Sequence, residues 1–544
     1  MSVQLLIAGV RASVDACDDM ILNKAKEKMK RAGIDPSSLH FRLYKKSIDA
    51  RKKEDIRFEC SVLAEGGEEL GRISPAVLQR ADAKIFEASK LPVPVFGSVP
   101  VKKSPLVVGM GPAGLFAALL LAKNGYAPIL IDRGDSIRER ERAVEAFRKT
   151  GVLDAESNIQ FGAGGAGTFS DGKLVTRIND SRCAFVLETL HRFGAPDEIL
   201  YKAKPHVGTD VLRRVVSNML EEIERLGGTL IYRCCMQDMT QLSDGTVRVQ
   251  TSRGEMHCGA VILAIGHSAR DTYSSLIKKN YAIEPKPISV GVRVEHLQSE
   301  IDQALYGRFA GHPNLGPGEY SLSDTKGKRG VYTFCMCPGG EVVAAASEHG
   351  HLVVNGMSYH ARSGANANAA VAVSVSPSDF EAVEGSVALG AIDFQRRIER
   401  AAFLAGGGDY YAPVTSMKNF LEGGHTPLSS RIQPSYRGGL VREASLDEIF
   451  PSYVTESLRY GFASFGKKIR GYDAPDAILT AAETRTSAPL RILRDAETLT
   501  AVGNSWLYPC GEGAGYAGGI TSAAVDGIRS AYALMARFLP KDSM

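Results

Sequence analysis

The chain has 544 residues, 44% hydrophobic and 23% charged, with a net charge of +4. That length can bury a large core over two to four domains. The charge is too small for the length to argue for nucleic acid or a membrane surface, and no apolar run reaches the ~18 residues of a spanning helix. The 56 glycines suit ligand loops lined by backbone. The nine cysteines are scattered and odd in number, which fits a reduced, cytoplasmic set rather than a disulfide framework. The N-terminus turns acidic at Asp15, Asp18 and Asp19 without a long apolar core, so it reads as mature protein rather than a signal peptide.

Residues 1–100 read as a small α+β domain. A strand is expected over Gln4–Gly9, an amphipathic helix over Asp18–Ala32, strands over Leu39–Ile48 and Ile56–Leu63, and a second helix over Pro75–Ser89. Lys45, Lys46, Arg51, Lys52 and Lys53 cluster at one turn. They read either as an RNA or acidic-partner patch or as a solvated turn near an interdomain contact. Glu54 and Asp55 balance them and favour the second. Leu91 to Pro100 is an extended, proline-bearing linker.

Residues 101–282 open on the stretch that organises the chain. Leu106-Val107-Val108 is a buried strand, Gly109-Met110-Gly111-Pro112-Ala113-Gly114 a glycine turn, Leu115 to Lys123 a helix, and Ala127 to Ile131 a second strand closed by Asp132 and Arg133. Gly109 permits the tight turn, Gly111 lets a pyrophosphate approach the backbone, and Gly114 lets the helix pack on the sheet. The helix start offers free N–H groups and the positive end of its dipole. Asp132 stands where an acid accepts hydrogen bonds from ribose hydroxyls. This is a dinucleotide site in its proper context.

A charged helix follows over Ser136–Lys149. Gly162 to Gly167 repeats the glycine spacing, but no apolar strand precedes it and no apolar helix follows, so it is not a second nucleotide site. Its Gly164, Gly165, Thr168 and Ser170 are instead candidates to donate to a bound cofactor. A helix is expected over Thr209–Leu226, a strand over Thr229–Met236, and hairpin turns at Ser243-Asp244-Gly245 and Arg253-Gly254. Residues 283–478 change pattern. Strands are expected at Ile288–Glu295, Gly330–Met336 and Val342–Ser347, and helices at Phe380–Glu384, Ala391–Ala405 and Leu446–Ile469. Residues 479–544 end in a strand, a glycine loop and a helix from about Thr521.

Three segments together resemble flavoproteins of the large two-dinucleotide-binding family. These are the fingerprint, Gly259–Thr272 with Ala264-Ile265-Gly266, and Trp506–Ser530 with Gly511-Glu512 and Gly518-Gly519-Ile520. The resemblance narrows to a group of bacterial FAD-dependent dehydrogenases through Lys46 to Lys53, Gly164 to Leu174, Phe334 to Gly340, Asn355 to His360 and Glu483 to Ser487. It implies FAD as cofactor. Met236 would meet the adenine, Gly511 and Glu512 the ribityl chain, and Gly518, Gly519 and Ile520 the flavin ring. The fold it implies is α/β: a Rossmann-like FAD-binding domain (101–282 and 479–544) interrupted by an α+β cap or substrate domain (283–478).

The resemblance brings no substrate. Candidate catalytic groups are His349, His351 and His360, Arg485 as an anion anchor, and Cys335 with Cys337 as a redox pair. Arg485 reads alternatively as a salt bridge between cap and FAD domain. His349-Gly350-His351 lacks a metal-ligand pattern, so no metal is expected. The leading reading is an FAD-dependent oxidoreductase working on a small organic substrate, with electrons from a transient NAD(P)H or a partner protein, without membrane or nucleic acid. The competing readings are an RNA-modifying flavoprotein and a non-catalytic FAD-binding protein.

Overall fold

The computed structural model describes residues 3–88 and 91–540. The N-terminal unit is a four-stranded sheet in the order His40–Asp49, Arg57–Gly66, Val3–Ser13, Ala83–Phe86. Helix Asp18–Arg31 lays Ile21, Ala25 and Met29 on it, one face at helical spacing. The expected second helix stops at Arg80. Asp82 turns left-handed (φ +44°), and Ala83–Phe86 pairs antiparallel with Gln4–Ile7. Residues 89 and 90 of the expected helix lie outside the described residues. The unit docks through its edge strand: Lys46 N–H donates to Tyr201 O (2.7 Å) and Ala203 N–H to Lys46 O (2.9 Å). The Lys46 ammonium pairs with Asp18 at 2.7 Å. The basic cluster thus borders an interdomain contact.

The central sheet is parallel, in the order Leu507–Pro509, Val261–Leu263, Leu106–Val108, Ile129–Ile131, Thr229–Ile231. Each strand is short, and the three inner ones, Val261–Leu263, Leu106–Val108 and Ile129–Ile131, are wholly apolar because helices cover both faces. Helix Pro112–Lys123 has ten of its 12 residues buried, and helix Ile520–Arg537 packs against it. The strand expected over Thr229–Met236 divides in two. Arg233 is left-handed (φ +53°) and grips Asp135 and Asp154, so Met236–Gln241 begins a separate antiparallel meander with Val247–Thr251 and Gly254–Cys258.

The inserted unit is a seven-stranded sheet. Its order is Ser323–Asp324, Val331–Cys337, Asn366–Val375, Ile288–Leu297, Ile478–Glu483, Ala412–Ser416, Val441–Glu443. Ile478–Glu483 lies inside this sheet, beside Ile288–Leu297, so the return to the parallel sheet falls later than residue 479. Leu490–Ile492 makes the return, pairing with the outgoing Ile283–Pro285. Asn366–Val375 has no alternation because nine of its ten residues are buried, and sequence patterning passes over it. Helix Val387–Ala405 covers the sheet. The helix expected over Leu446–Ile469 breaks at Pro451, leaving Ser452–Gly466. Phe380–Glu384 is not helical.

Candidate functional site: a cofactor cavity closed by the inserted sheet

A cavity of about 470 Å³ lies between the C-terminal ends of the parallel strands and the inserted sheet. That is where open α/β sheets hold ligands, and the size is that of a small-molecule site. Gly109, Gly111, Pro112 and Ala113 line one side, Gly165 and Ser170 another, and Gly518, Gly519 and Ile520 a third. Helices Pro112–Lys123 and Ile520–Arg537 both begin on this cavity, so two sets of unpaired N–H groups and two positive dipole ends face it.

The fingerprint glycines Gly109 and Gly111 differ in what surrounds them. Gly109 has φ +104°, and a Cβ there would come within 2.2 Å of Ala264 O. A Cβ on Gly111 would find only Gly165 Cα, at 3.8 Å. Gly111 leaves open space for a ligand, whereas Gly109 is demanded by the fold itself. Asp132 lines the cavity and caps the turn, one carboxylate oxygen taking Met110 N–H and the other Gly134 N–H, both at 2.8 Å. Arg133, Met236, Ala264 and Gly266 complete that end.

Glu512 lines the cavity, and among the described residues no hydrogen bond reaches its carboxyl. Burial raises it to about 7, with Lys286 pulling the other way. An unpartnered acid in a desolvated cradle fits a ligand rich in hydroxyl groups. The glycine cradle, the two helix starts and Glu512 together fit FAD.

Some expected cofactor residues stand one layer back. Gly114, Gly164, Thr168 and Gly511 do not line the cavity. The Thr168 hydroxyl donates to Gly165 O at 2.9 Å, and its carbonyl accepts from Thr209, so it braces the loop rather than facing a phosphate. Arg140, which the sequence reading missed, is fully buried beneath the same loop. Its guanidinium donates to the carbonyls of Asn158 (2.8 Å), Ile159 (2.8 Å) and Ala163 (2.6 Å). An arginine among the many charges of helix Ile137–Thr150 gives no sequence signal.

The candidate catalytic histidines are placed elsewhere. None of His349, His351 and His360 lines the cavity. His351 Nδ1 meets His349 O at 2.9 Å in an exposed loop. His360 stacks on His206 with ring centroids 5.3 Å apart, and its Nδ1 meets Val207 O. Among the described residues no group of three metal-ligating side chains occurs.

Arg485 does line the cavity, but its guanidinium is taken. It donates to both oxygens of the buried Glu399 (3.1 and 3.0 Å), to Ser268 Oγ (3.0 Å) and to Ser347 Oγ (2.5 Å). Its salt bridge to Glu399 lies within the inserted unit, and only its bond to Ser268 crosses to the cofactor half, so its contacts show a brace rather than an anion anchor. Arg485 also sets a neighbour. Because it donates to Ser268 Oγ, the serine hydroxyl is free to donate to His267 Nδ1 at 2.9 Å. Burial, with Arg485 and Arg270 nearby, pulls the His267 imidazole down to about 3, so it is neutral on the cavity wall.

Cys335 lines the cavity and Cys337 does not. The sequence reading sets both on one face of a strand. The strand is bulged between Phe334 and Cys337, and Cys335 is left-handed (φ +40°), so the pair is split. Cys337 donates its S–H to Cys335 O (3.1 Å), and burial raises its thiol to about 12. All nine cysteines are free thiols.

The fold and the cradle define an FAD-binding α/β protein with an inserted sheet over the cofactor. Residues 287–486 match the family described as "FAD-dependent protein, C-terminal domain-like". Residues 10–65 match a domain of unknown function, DUF8436. An uncharacterised protein of Clostridium beijerinckii is 46% identical over 542 residues, covering 98% of this chain and 99% of that one. The chain belongs to this family of FAD-dependent proteins. Among solved structures it is similar to L-amino acid deaminase from Proteus vulgaris, at 13% identity over 38% of this chain and 62% of the deaminase, TM-score 0.23. It is also similar to halogenase PltM, at 10% identity over 81% of this chain and 72% of the halogenase, TM-score 0.37. No described helix is long and apolar enough to cross a membrane.

Proposed function

We propose that the protein is an FAD-dependent oxidoreductase whose inserted sheet forms the substrate wall. One observation carries this reading. The cavity continues without a break from the fingerprint glycines to Phe334, Cys335, Asn355 and Gly356 of the insertion. A cofactor held at one end therefore shares its enclosure with space walled by the other domain. FAD, when bound, supplies hydride or electron exchange, and the protein supplies orientation and electrostatics.

The chain's own residues support three roles. Asp132, Glu512 and the two helix starts hold and orient the cofactor. The Arg270–Glu399–Arg485 cluster locks insertion to cradle and keeps water from that wall. Asn355, Lys173 and neutral His267 present donors to whatever enters. The described residues contain a single parallel five-stranded sheet, so electrons come from a transient nicotinamide or a partner protein. The substrate is a small organic molecule. Anaerobic mixing of the FAD-loaded protein with NADH, NADPH and reduced electron-carrier proteins tests this. Bleaching by one of them, followed by reoxidation with an organic acceptor, is the expected result. A bound flavin that no donor reduces would refute it.

A further inference from the structure

Arg293 is fully buried on the central strand of the inserted sheet. All five of its N–H groups are used. Nε and Nη2 donate to the two oxygens of Glu483 (2.7 and 3.2 Å), Nη1 to Cys335 O (2.9 Å) and Asn368 Oδ1 (2.8 Å), and Nη2 also to Asn355 Oδ1 (2.9 Å). Three of those four partners, Glu483, Cys335 and Asn355, line the cavity. A Cβ on Gly356 would come within 2.2 Å of Arg293 Nη1, so glycine is what lets the guanidinium reach them.

This network fixes which way the Asn355 amide faces. Its Oδ1 accepts from Arg293 Nη2 and from Gly356 N–H (2.8 Å). Two donors on one oxygen decide the flip. The NH2 group is left over: the side-chain hydrogen bonds of Asn355 to described residues both fall on Oδ1. Lys173 also lines the cavity, its ammonium tethered to Glu319 at 2.9 Å. An ammonium uses one of its three donors on that tether.

We infer that this wall is an oxygen-acceptor site: the Asn355 NH2, aimed by Arg293, and the Lys173 ammonium receive a carboxylate of the substrate. The inference rests on the oxidoreductase reading and narrows its substrate to organic acids. Glu483 does not oppose it, because its two oxygens are occupied by Arg293. Arg293 is a positioning residue here, and Asn355 is the group that touches the ligand.

The test uses the FAD-loaded protein and a series of monocarboxylates (acetate, benzoate, phenylacetate) beside the matching primary alcohols. Binding is read as a perturbation of the oxidised flavin spectrum, so no turnover is needed. Carboxylates are expected to perturb the spectrum and alcohols are not. Asn355→Asp keeps the acceptor for Arg293 but replaces the donor by a charge. It is expected to weaken carboxylate binding about tenfold or more, the scale of one charge-assisted hydrogen bond, with FAD retained. Lys173→Gln, at a partly exposed position, is expected to weaken the same binding and serves if the aspartate variant does not fold. Equal binding of acids and alcohols, no perturbation by any acid, or unchanged binding in both variants would overturn the inference. So would an Asn355→Asp protein whose ligand-free flavin spectrum shifts while acids still bind, because the amide would then face the cofactor. A flavin that binds acids yet is reduced by no donor would instead refute the oxidoreductase reading.

Discussion

Arg270, on a helix of the cofactor-binding half, and Glu399, on a helix of the inserted half, are joined by a pair of hydrogen bonds at 2.7 and 2.8 Å, with both side chains withdrawn from solvent. Arg485 shares the same carboxylate, and Glu348 takes up the second charge of the cluster by pairing with Arg270 (2.8 Å) and Arg396 (2.5 Å). Two arginines and one glutamate would leave a net buried charge; Glu348 offsets it, and Arg396 adds a third, part-exposed cation at the edge of the cluster.

Removing Glu399 should therefore be costly. Glu399→Gln strands two guanidinium groups, and breaking a buried pair in this way costs about 3–5 kcal/mol. Urea unfolding of the variant should show that loss. Glu399→Asp should fall between variant and wild type. A variant as stable as wild type would show that the cluster does not bind the two halves together.

The same cluster predicts acid sensitivity. Burial alone would raise the Glu348 carboxyl, but Arg396 and Arg270 override it and bring it to about 2. A carboxylate lowered in the folded state stabilises above its ordinary value of 4.5 and loses that contribution as pH falls toward 2. Chemical denaturation at successive pH values should show stability falling through this window, less steeply in Glu348→Gln.

Glu512 predicts the opposite slope. Its folded value, about 7, lies above the ordinary 4.5. Between those values the folded apoprotein holds a proton that the unfolded chain has released, so stability falls as pH rises across the interval. Glu512→Gln should remove that slope from the apoprotein. An unchanged slope would mean that the carboxyl is solvated.

The fingerprint glycines should separate on mutation. Gly111→Ala has room in the fold and fills the cradle, so the protein should fold and lose FAD affinity. Gly109→Ala strikes Ala264 O from a left-handed position, so it should lose stability, read by thermal melting without FAD. Equal effects in both would contradict the division of roles.

The thiols predict an electron count. Cys337 donates to the Cys335 carbonyl and its thiol is pushed up to about 12, which does not favour thiolate chemistry. Anaerobic dithionite titration should consume two electrons per FAD. Four would reveal a redox-active disulfide and restore the paired-cysteine reading.

The cofactor half was legible because its signals are local. The strand, turn, helix and acid of Leu106 to Asp132 lie within one continuous stretch, and each residue answers to a backbone requirement. The inserted half was legible only in part. Its central strands, such as Asn366–Val375, are buried on both faces and carry no period-two pattern. The substrate wall was least legible. Arg293 and Glu483 are far apart in sequence and meet on neighbouring strands, while Asn355 reaches Arg293 from a separate two-stranded sheet. The histidines drew notice by composition, yet they occupy loop and interface positions. Arg140 and Arg270 look like surface charges on amphipathic helices until the fold buries them.

FAD held in the cavity of Gly111 and Glu512 is the cofactor through which the proposed electron transfer with an organic molecule would run. The most direct measurement is the absorbance spectrum of the purified protein after incubation with FAD, followed by anaerobic titration with nicotinamides and protein donors. Oxidised-flavin bands that bleach with one class of donor, and that are absent in Gly111→Ala, are the expected result. A wild-type protein that shows no flavin band after incubation with FAD would contradict it.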